Sequence, residues 1–137
     1  MALTGTISEE LKSAHDYMFE DETAAANTTT TGEAQLVGGA QGELELVAVV
    51  GDTDIVITDT KALTVKLTGA ETEGGSFVDV ATLYTVTASG ATTLTAGTEL
   101  GRYIVKPSDP LWGKAVAVND DTGIVGNLTV YIRRVAR

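Results

Sequence analysis

From residue 42 onward, apolar and polar side chains alternate with the period of two that belongs to half-buried β-strands. In GELELVAVV, Leu44, Leu46, Ala48 and Val50 share one face and Glu43 and Glu45 the other. Gly51 and Asp52 mark a turn, and Ile55, Val56 and Ile57 form the next apolar run. Leu63, Val65 and Leu67 alternate with Thr64, Lys66 and Thr68. After a Glu-Gly-Gly-Ser loop at 73–76, Phe77 to Thr87 reads as a long strand with Val78, Val80, Thr82, Tyr84 and Val86 on one side. Ser89-Gly90 turns the chain, residues 92–95 form a short strand, and Ala96-Gly97 breaks it. Tyr103 and Val105 share a face, Pro107 and Pro110 bracket a loop, Val116 and Val118 alternate in the following strand, and the stretch 119–123 is a turn. Leu128, Val130 and Ile132 close the pattern opposite Thr129, Tyr131 and Arg133.

This spacing predicts an all-β, antiparallel, jelly-roll-like sandwich of about eight strands. The expected core holds Leu44, Leu46, Leu63, Val65, Leu67, Val78, Val80, Val116, Val118, Val130 and Ile132. Residues 1–32 read differently, as an N-terminal arm and linker before a sandwich domain at 33–137. Ile7, Leu11, Ala14 and Met18 fall on one face at helical spacing, with Ser8 placed to cap and two glutamates in the first turn. The run TAAANTTTTG at 23–32 is polar and low in complexity. The arm carries apolar anchors, Leu3, Ile7, Leu11, Tyr17, Met18 and Phe19. Two readings of them stand side by side: contact with a partner or neighbouring subunit, or packing on the protein's own sandwich.

Composition narrows the chemistry. Nineteen acidic residues against nine basic ones give a net charge of −10, the reverse of what phosphate-led nucleic-acid binding needs. No run approaches the roughly 20 apolar residues of a membrane helix. Residues 1–10 show no basic region leading into an apolar core, so no secretory signal is read, and synthesis in the cytoplasm is expected. The chain has no cysteine, which excludes disulfides, thiolate metal sites and cysteine nucleophiles.

His15 is the sole histidine and lies outside the expected strands, badly placed for a Ser-His-Asp relay or a cupin-type metal site. Asp52-Thr53-Asp54 and Asn119-Asp120-Asp121 group oxygen donors, but neither fits a calcium-loop spacing, and Asp and Asn between strands read first as turn formers. Paired carboxylates of a glycosidase are not excluded by sequence, yet the scarcity of aromatics argues against a sugar-stacking cleft. The stretch 38–42 lacks the phosphate-cradling spacings. Trp112, the sole tryptophan, is either a core anchor or an interface anchor. Arg133, Arg134 and Arg137 are either an outward strand face or a contact for an acidic neighbour. No enzyme activity, cofactor or metal is expected.

The order of segments carries a resemblance. A polar N-terminal stretch precedes GELELVAVV at 42–50; ALTVKL at 62–67, a Gly/Ser loop and Phe77 follow; then TAGTELGRY at 95–103, a Pro-bearing loop into Trp112, and GNLTVYI at 126–132. This resembles the Bbp16-like capsid cement (decoration) protein family of tailed bacteriophages, over residues 42–132. The resemblance implies a jelly roll that trimerises on the outer surface of the phage head and clamps neighbouring capsomers. Its partners would be the major capsid protein and itself, with no nucleic acid and no membrane, and its place the virion. Leu3, Ile7, Leu11, Tyr17, Met18, Phe19 and Trp112 are the candidate capsid or inter-subunit contacts. A carbohydrate-binding sandwich, acting as a virion or cell-surface adhesin, is the alternative.

Overall fold

The computed structural model describes residues 17–25, 27–37, 44–121 and 126–134. Every helix or strand in them is a strand: β1 (Tyr17–Glu22), β2 (Thr28–Thr31), β3 (Gln35–Leu36), β4 (Leu44–Val50), β5 (Ile55–Ile57), β6 (Ala62–Ala70), β7 (Val78–Thr87), β8 (Thr92–Leu94), β9 (Glu99–Ile104), β10 (Trp112–Asn119) and β11 (Leu128–Arg134). One sheet runs β1-β11-β4-β9; the other runs β2-β10-β6-β7, with β3 also on β10. β5 and β8 form a separate ribbon. All pairings are antiparallel.

β2 and β3 lie end to end along the same edge of β10. Counted as one, they leave eight principal strands besides the ribbon. The first pairs with the last, the second with the seventh, the third with the sixth and the fourth with the fifth. The chain is thus a long hairpin, rolled so that β11 meets β4 and β10 meets β6. That is the jelly roll. The expected number of strands included β5 and β8 and omitted β1 and β2, which complete the two sheets.

The expected boundary at residue 33 is therefore corrected. Tyr17–Glu22 is the edge strand beside β11, and Thr28–Thr31 is hydrogen-bonded to β10. Met18 belongs to β1 and not to a helical face; Ile7, Leu11 and Ala14 lie outside the described residues. The register of β1 shifts between Tyr17 and Phe19, and this irregularity turns the consecutive Met18 and Phe19 both inward. Period two is lost there, so the strand has no sequence signature. β2 is four threonines. It buries little and is held by its backbone ladder on β10.

The core lies between the sheets. Leu46, Ala48 and Val50 of β4, Leu63, Val65 and Leu67 of β6, and Leu128, Val130 and Ile132 of β11 fill it with Met18, Phe19, Ile55 and Ile57. Leu44 and Val80 are partly buried against it. Three expected core residues fall outside the cluster between the sheets. β10 turns Ala115 and Ala117 inward, so Val116, which is nevertheless buried at 6% exposed, and the half-buried Val118 face the outside of their sheet. Val78 is 62% exposed. In the β6–β7 ladder, register shifts between Val65 and Lys66 and between Leu67 and Thr68 place extra residues in β7; the two reversals of alternation cancel, and Val78 is exposed because it starts the strand, opposite Gly69.

The acidic turns do more than turn. Asp120 Oδ1 accepts from Ala62 N (2.6 Å), and Asp121 Oδ2 accepts from Thr58 N and Thr58 Oγ1 (both 2.9 Å). Asp54 Oδ1 accepts from Ala96 N (2.7 Å). The carboxylates bind backbone N–H groups as expected of turn formers, but groups far away in the chain.

Candidate functional site

The register places three outward-facing rows across the second sheet. Lys114, Thr68 and Asp79 form the first; Thr31, Val116, Lys66 and Thr82 the second; Thr29, Val118, Thr64 and Thr85 the third. All of the first row, Thr31, Val116 and Lys66 of the second, Thr29 and Val118 of the third, and Phe77 line a shallow groove of about 280 Å³. Lys114 Nζ stands 4.4 Å from the centroid of the Phe77 ring, a cation–π contact. Lys66 Nζ pairs with Asp79 Oδ2 at 3.1 Å, and the Thr64 and Thr85 hydroxyls meet at 2.9 Å. The face is rich in hydroxyls, with both lysines already engaged.

Trp112 opens β10 on this same outward side. It is half-buried, lies outside the buried core, and sits in register between Leu36 and Ala70. Leu36 is 59% exposed and Leu111, next to Trp112 in the chain, 39%. Val37 N donates to Leu111 O (2.8 Å), which holds β3 against the start of β10. Leu36, Leu111 and Trp112 thus gather at one end of the sheet.

The other sheet carries an ion network on its outer face. Glu45, on the central β4, is only 5% exposed. Arg133 Nε donates to Glu45 Oε1 (2.8 Å), and Arg102 Nη1 lies 3.5 Å from Oε2. Arg102 also holds Glu99, by Nε and Nη2 (2.8 and 2.7 Å). These hydrogen bonds from Arg102 hold the Glu99 carboxyl below its usual range, and the pairing raises the Arg102 guanidinium in turn. Arg133 therefore finds its acidic neighbour within its own chain. Nearby, Tyr103 donates to Asp109 Oδ2 (2.6 Å); burial first, then this bond, pushes the phenol up to about 12.

Of the candidate contacts, Met18 (5% exposed) and Phe19 (3%) are core residues, committed to this chain's own packing. Tyr17 is half-buried, its ring edge-on to Tyr131 at 6.3 Å between centroids. Leu3, Ile7 and Leu11 lie outside the described residues, as does His15. The structure does not bring Trp112 together with Tyr17, which is on the other sheet. The threonine-lysine face escaped the sequence because β10 is apolar on both faces: Val116 and Val118 outside, Ala115 and Ala117 inside. The larger side chains drew the assignment to the wrong face.

No known protein family profile matches the chain, and no curated protein matches it. Two solved structures share part of its shape. One is the CBM22-1–GH10 modules of Clostridium thermocellum endo-1,4-β-D-xylanase 10B complexed with xylohexaose, 14% identical, with a TM-score of 0.40 over 84% of this chain and 21% of that chain. The other is the T13 IBDV viral particle, 15% identical, with a TM-score of 0.39 over 85% of this chain and 30% of that chain. This chain spans less than a third of the length of either.

Proposed function

We propose that the chain is a structural virion protein, a capsid decoration protein that binds the outer surface of a phage head as a homotrimer and stabilises it. The observation that carries the reading is the apolar cluster of the exposed Leu36 and Leu111 with the half-buried Trp112 at one end of a hydroxyl-rich sheet. Such a cluster suits a docking anchor ringed by polar side chains. The resemblance over residues 42–132 supplies the partner, the major capsid protein. The mechanism is linkage: a protein that binds only the assembled shell stabilises it by its binding free energy, and a trimer strengthens this because its three contacts are joined. The reading assigns no catalytic step.

Co-sedimentation of the purified protein with assembled heads tests it, alongside its mass by light scattering. The expected result is saturable binding by a trimer, weakened by about tenfold or more in Trp112→Ala, since an aromatic anchor contributes about 2 kcal/mol or more. Failure to bind heads, or binding as a monomer, refutes the corresponding part.

A second reading, carbohydrate binding, has its own support in the groove beside Phe77. Threonine hydroxyls and one aromatic ring are groups that meet a sugar's hydroxyls and its apolar face. Affinity electrophoresis in soluble polysaccharides separates the two. Retardation that is lost in Phe77→Ala favours the sugar site.

A further inference from the structure

Val47 faces outward from its sheet, since Leu46 and Ala48 on either side of it point into the core. It is nevertheless 0% exposed. It belongs to a row that crosses the outer face of the first sheet, Tyr17, Tyr131, Val47 and Arg102. In the rows above and below, the outward Glu45 is 5% exposed and the outward Thr129 8%. The middle of this face is thus shielded from water over three rows, while Ile104 at the β9 edge is 46% exposed. The second sheet provides none of this cover, because it packs on the inner side. The row itself provides only part. The Arg102 guanidinium is drawn along the face to Glu99 and Glu45, and its side chain keeps 48% exposure. Tyr131 flanks Val47 on one side.

The segments outside the described residues differ in what they can reach. Residues 38–43 and 122–125 are taken up by crossing from one sheet to the other, between β3 and β4 and between β10 and β11. Residues 38–43, GGAQGE, also have no large apolar side chain. Residues 135–137 are three residues past the end of β11. Residues 1–16 run directly into Tyr17, the first member of the row, and carry Leu3, Ile7, Leu11 and Ala14. Val47 lies two strands from Tyr17, about 10 Å at about 4.8 Å per strand. About twelve residues in a helix run about 18 Å, so the segment has both the reach and the apolar side chains.

We propose that residues 1–16 fold back over the outer face of β1-β11-β4-β9 and cover Val47 and Tyr131 with Leu3, Ile7 and Leu11 of the same chain. Charge agrees with this placement. Glu9 and Glu10 belong to the segment, and the face carries Arg102 and Arg133, whose side chains are 48% and 39% exposed. The segment is then a third layer on the sandwich and not a free arm, and the end of the other sheet with Leu36, Leu111 and Trp112 is left as the docking surface. The inference concerns the chain by itself, so it stands or falls separately from the capsid reading.

The test uses the full chain. It has no cysteine, so Lys12→Cys takes a single nitroxide without touching the apolar anchors. The expected result is loss of the amide signals of Glu45, Val47 and Tyr131 on the covered face, with those of Lys66 and Val116 on the other sheet retained. Equal loss on both faces, or none on either, overturns the proposal. So does loss of these signals in isotope-labelled native protein refolded together with the spin-labelled, isotope-free variant, because the segment would then lie on a neighbouring copy. A double-mutant cycle adds a second measurement. Val47→Thr keeps the shape of the side chain and places a hydroxyl under the cover. Its loss in Tm is expected to be about 4 °C or more in the full chain, and less than about half that in protein lacking residues 1–16, where the face meets water. The truncated protein itself is expected to melt cooperatively at a lower temperature than the full chain. Equal losses from Val47→Thr in the two backgrounds overturn the proposal. Where the truncated protein does not fold, the nitroxide result on the full chain decides.

Discussion

Asn119 donates its side-chain amide hydrogens to the carbonyl oxygens of Ala24 (3.2 Å) and Ala25 (3.1 Å), 95 and 94 residues earlier in the chain. Its own Oδ1 accepts from Asp121 N (2.8 Å). The residue is 1% exposed; its bonds to Ala24 and Asp121 are buried and that to Ala25 partly so. They pin the connection between β1 and β2 to the end of β10. Asn119→Ala leaves those groups unpaired and is expected to cost about 2–4 kcal/mol, since each buried group left without a partner costs roughly 1–3 kcal/mol. Asn119→Asp turns the donor into an acceptor facing two carbonyls and is expected to be worse at neutral pH. Urea unfolding of the three proteins checks both the loss and its order. A cost under about 0.5 kcal/mol for Asn119→Ala, within the range of an ordinary surface change, contradicts the role.

Truncation separates an arm from a strand. Deleting residues 1–16 leaves every described strand intact, and the protein is expected to keep its cooperative melt. Deleting residues 1–22 removes β1 with Met18 and Phe19. Truncating two such side chains alone costs about 5–9 kcal/mol, comparable with the whole stability of a small domain, about 5–15 kcal/mol. The longer truncation is expected to unfold or aggregate. Circular dichroism of both truncations decides, and a native-like melt after loss of residues 1–22 would show β1 to be dispensable.

The bond from Tyr103 to Asp109 makes stability depend on alkaline pH. The neutral phenol donates to the carboxylate, and ionisation would set two anions side by side. The folded phenol titrates at about 12, above the ordinary tyrosine value of about 10. A group raised in this way contributes stability that is complete below the unfolded value and is lost as pH rises through the folded one. The stability of the native protein is therefore expected to fall between about pH 10 and 12 more steeply than that of Tyr103→Phe. Ultraviolet titration of the phenols, read beside denaturant melts, checks this; parallel curves for the two proteins would remove the linkage.

The sequence made most of the sheet interior legible because β6 and β11 each present one apolar face and one largely polar one, and Leu46, Ala48 and Val50 keep the same phase in β4. Leu46, Leu63, Val65, Leu67, Val130 and Ile132 are all buried, as their alternation predicts. Three kinds of residue escaped it. Met18 and Phe19 are adjacent and both inward, a bulge that a periodic pattern cannot express. Val116 and Val118 share β10 with Ala115 and Ala117, so both faces are apolar and only the neighbouring strands fix the phase. The threonines of β2 carry no apolar side chain, and their place depends on the free edge of β10. The candidate surface was less legible still. Trp112 stood out as the sole tryptophan, but Leu36 joins it through pairing across 76 residues.

Gly101 shows where the sandwich is closed most tightly. It sits in β9, opposite Ala48 of β4, and a Cβ at this position would overlap the carbonyl of Leu83 in β7. Leu83 is the residue passed over where the register shifts between Val65–Tyr84 and Lys66–Thr82. The bulge thus brings the backbone of one sheet's edge onto that of the other. A backbone carbonyl has no rotamer to yield, so Gly101→Ala must move β9 or β7 as a unit. The expected cost is about 1–3 kcal/mol or more, the range of overpacking a tight interior. Gly74→Ala is the control, because its Cβ meets nothing within 4 Å. With open space there, alanine is expected to be neutral or stabilising by about 0.4–1 kcal/mol through the unfolded chain alone. Thermal melts of the two variants separate steric closure from the general effect of losing a glycine, and equal shifts would mean that β7 and β9 are not held in contact.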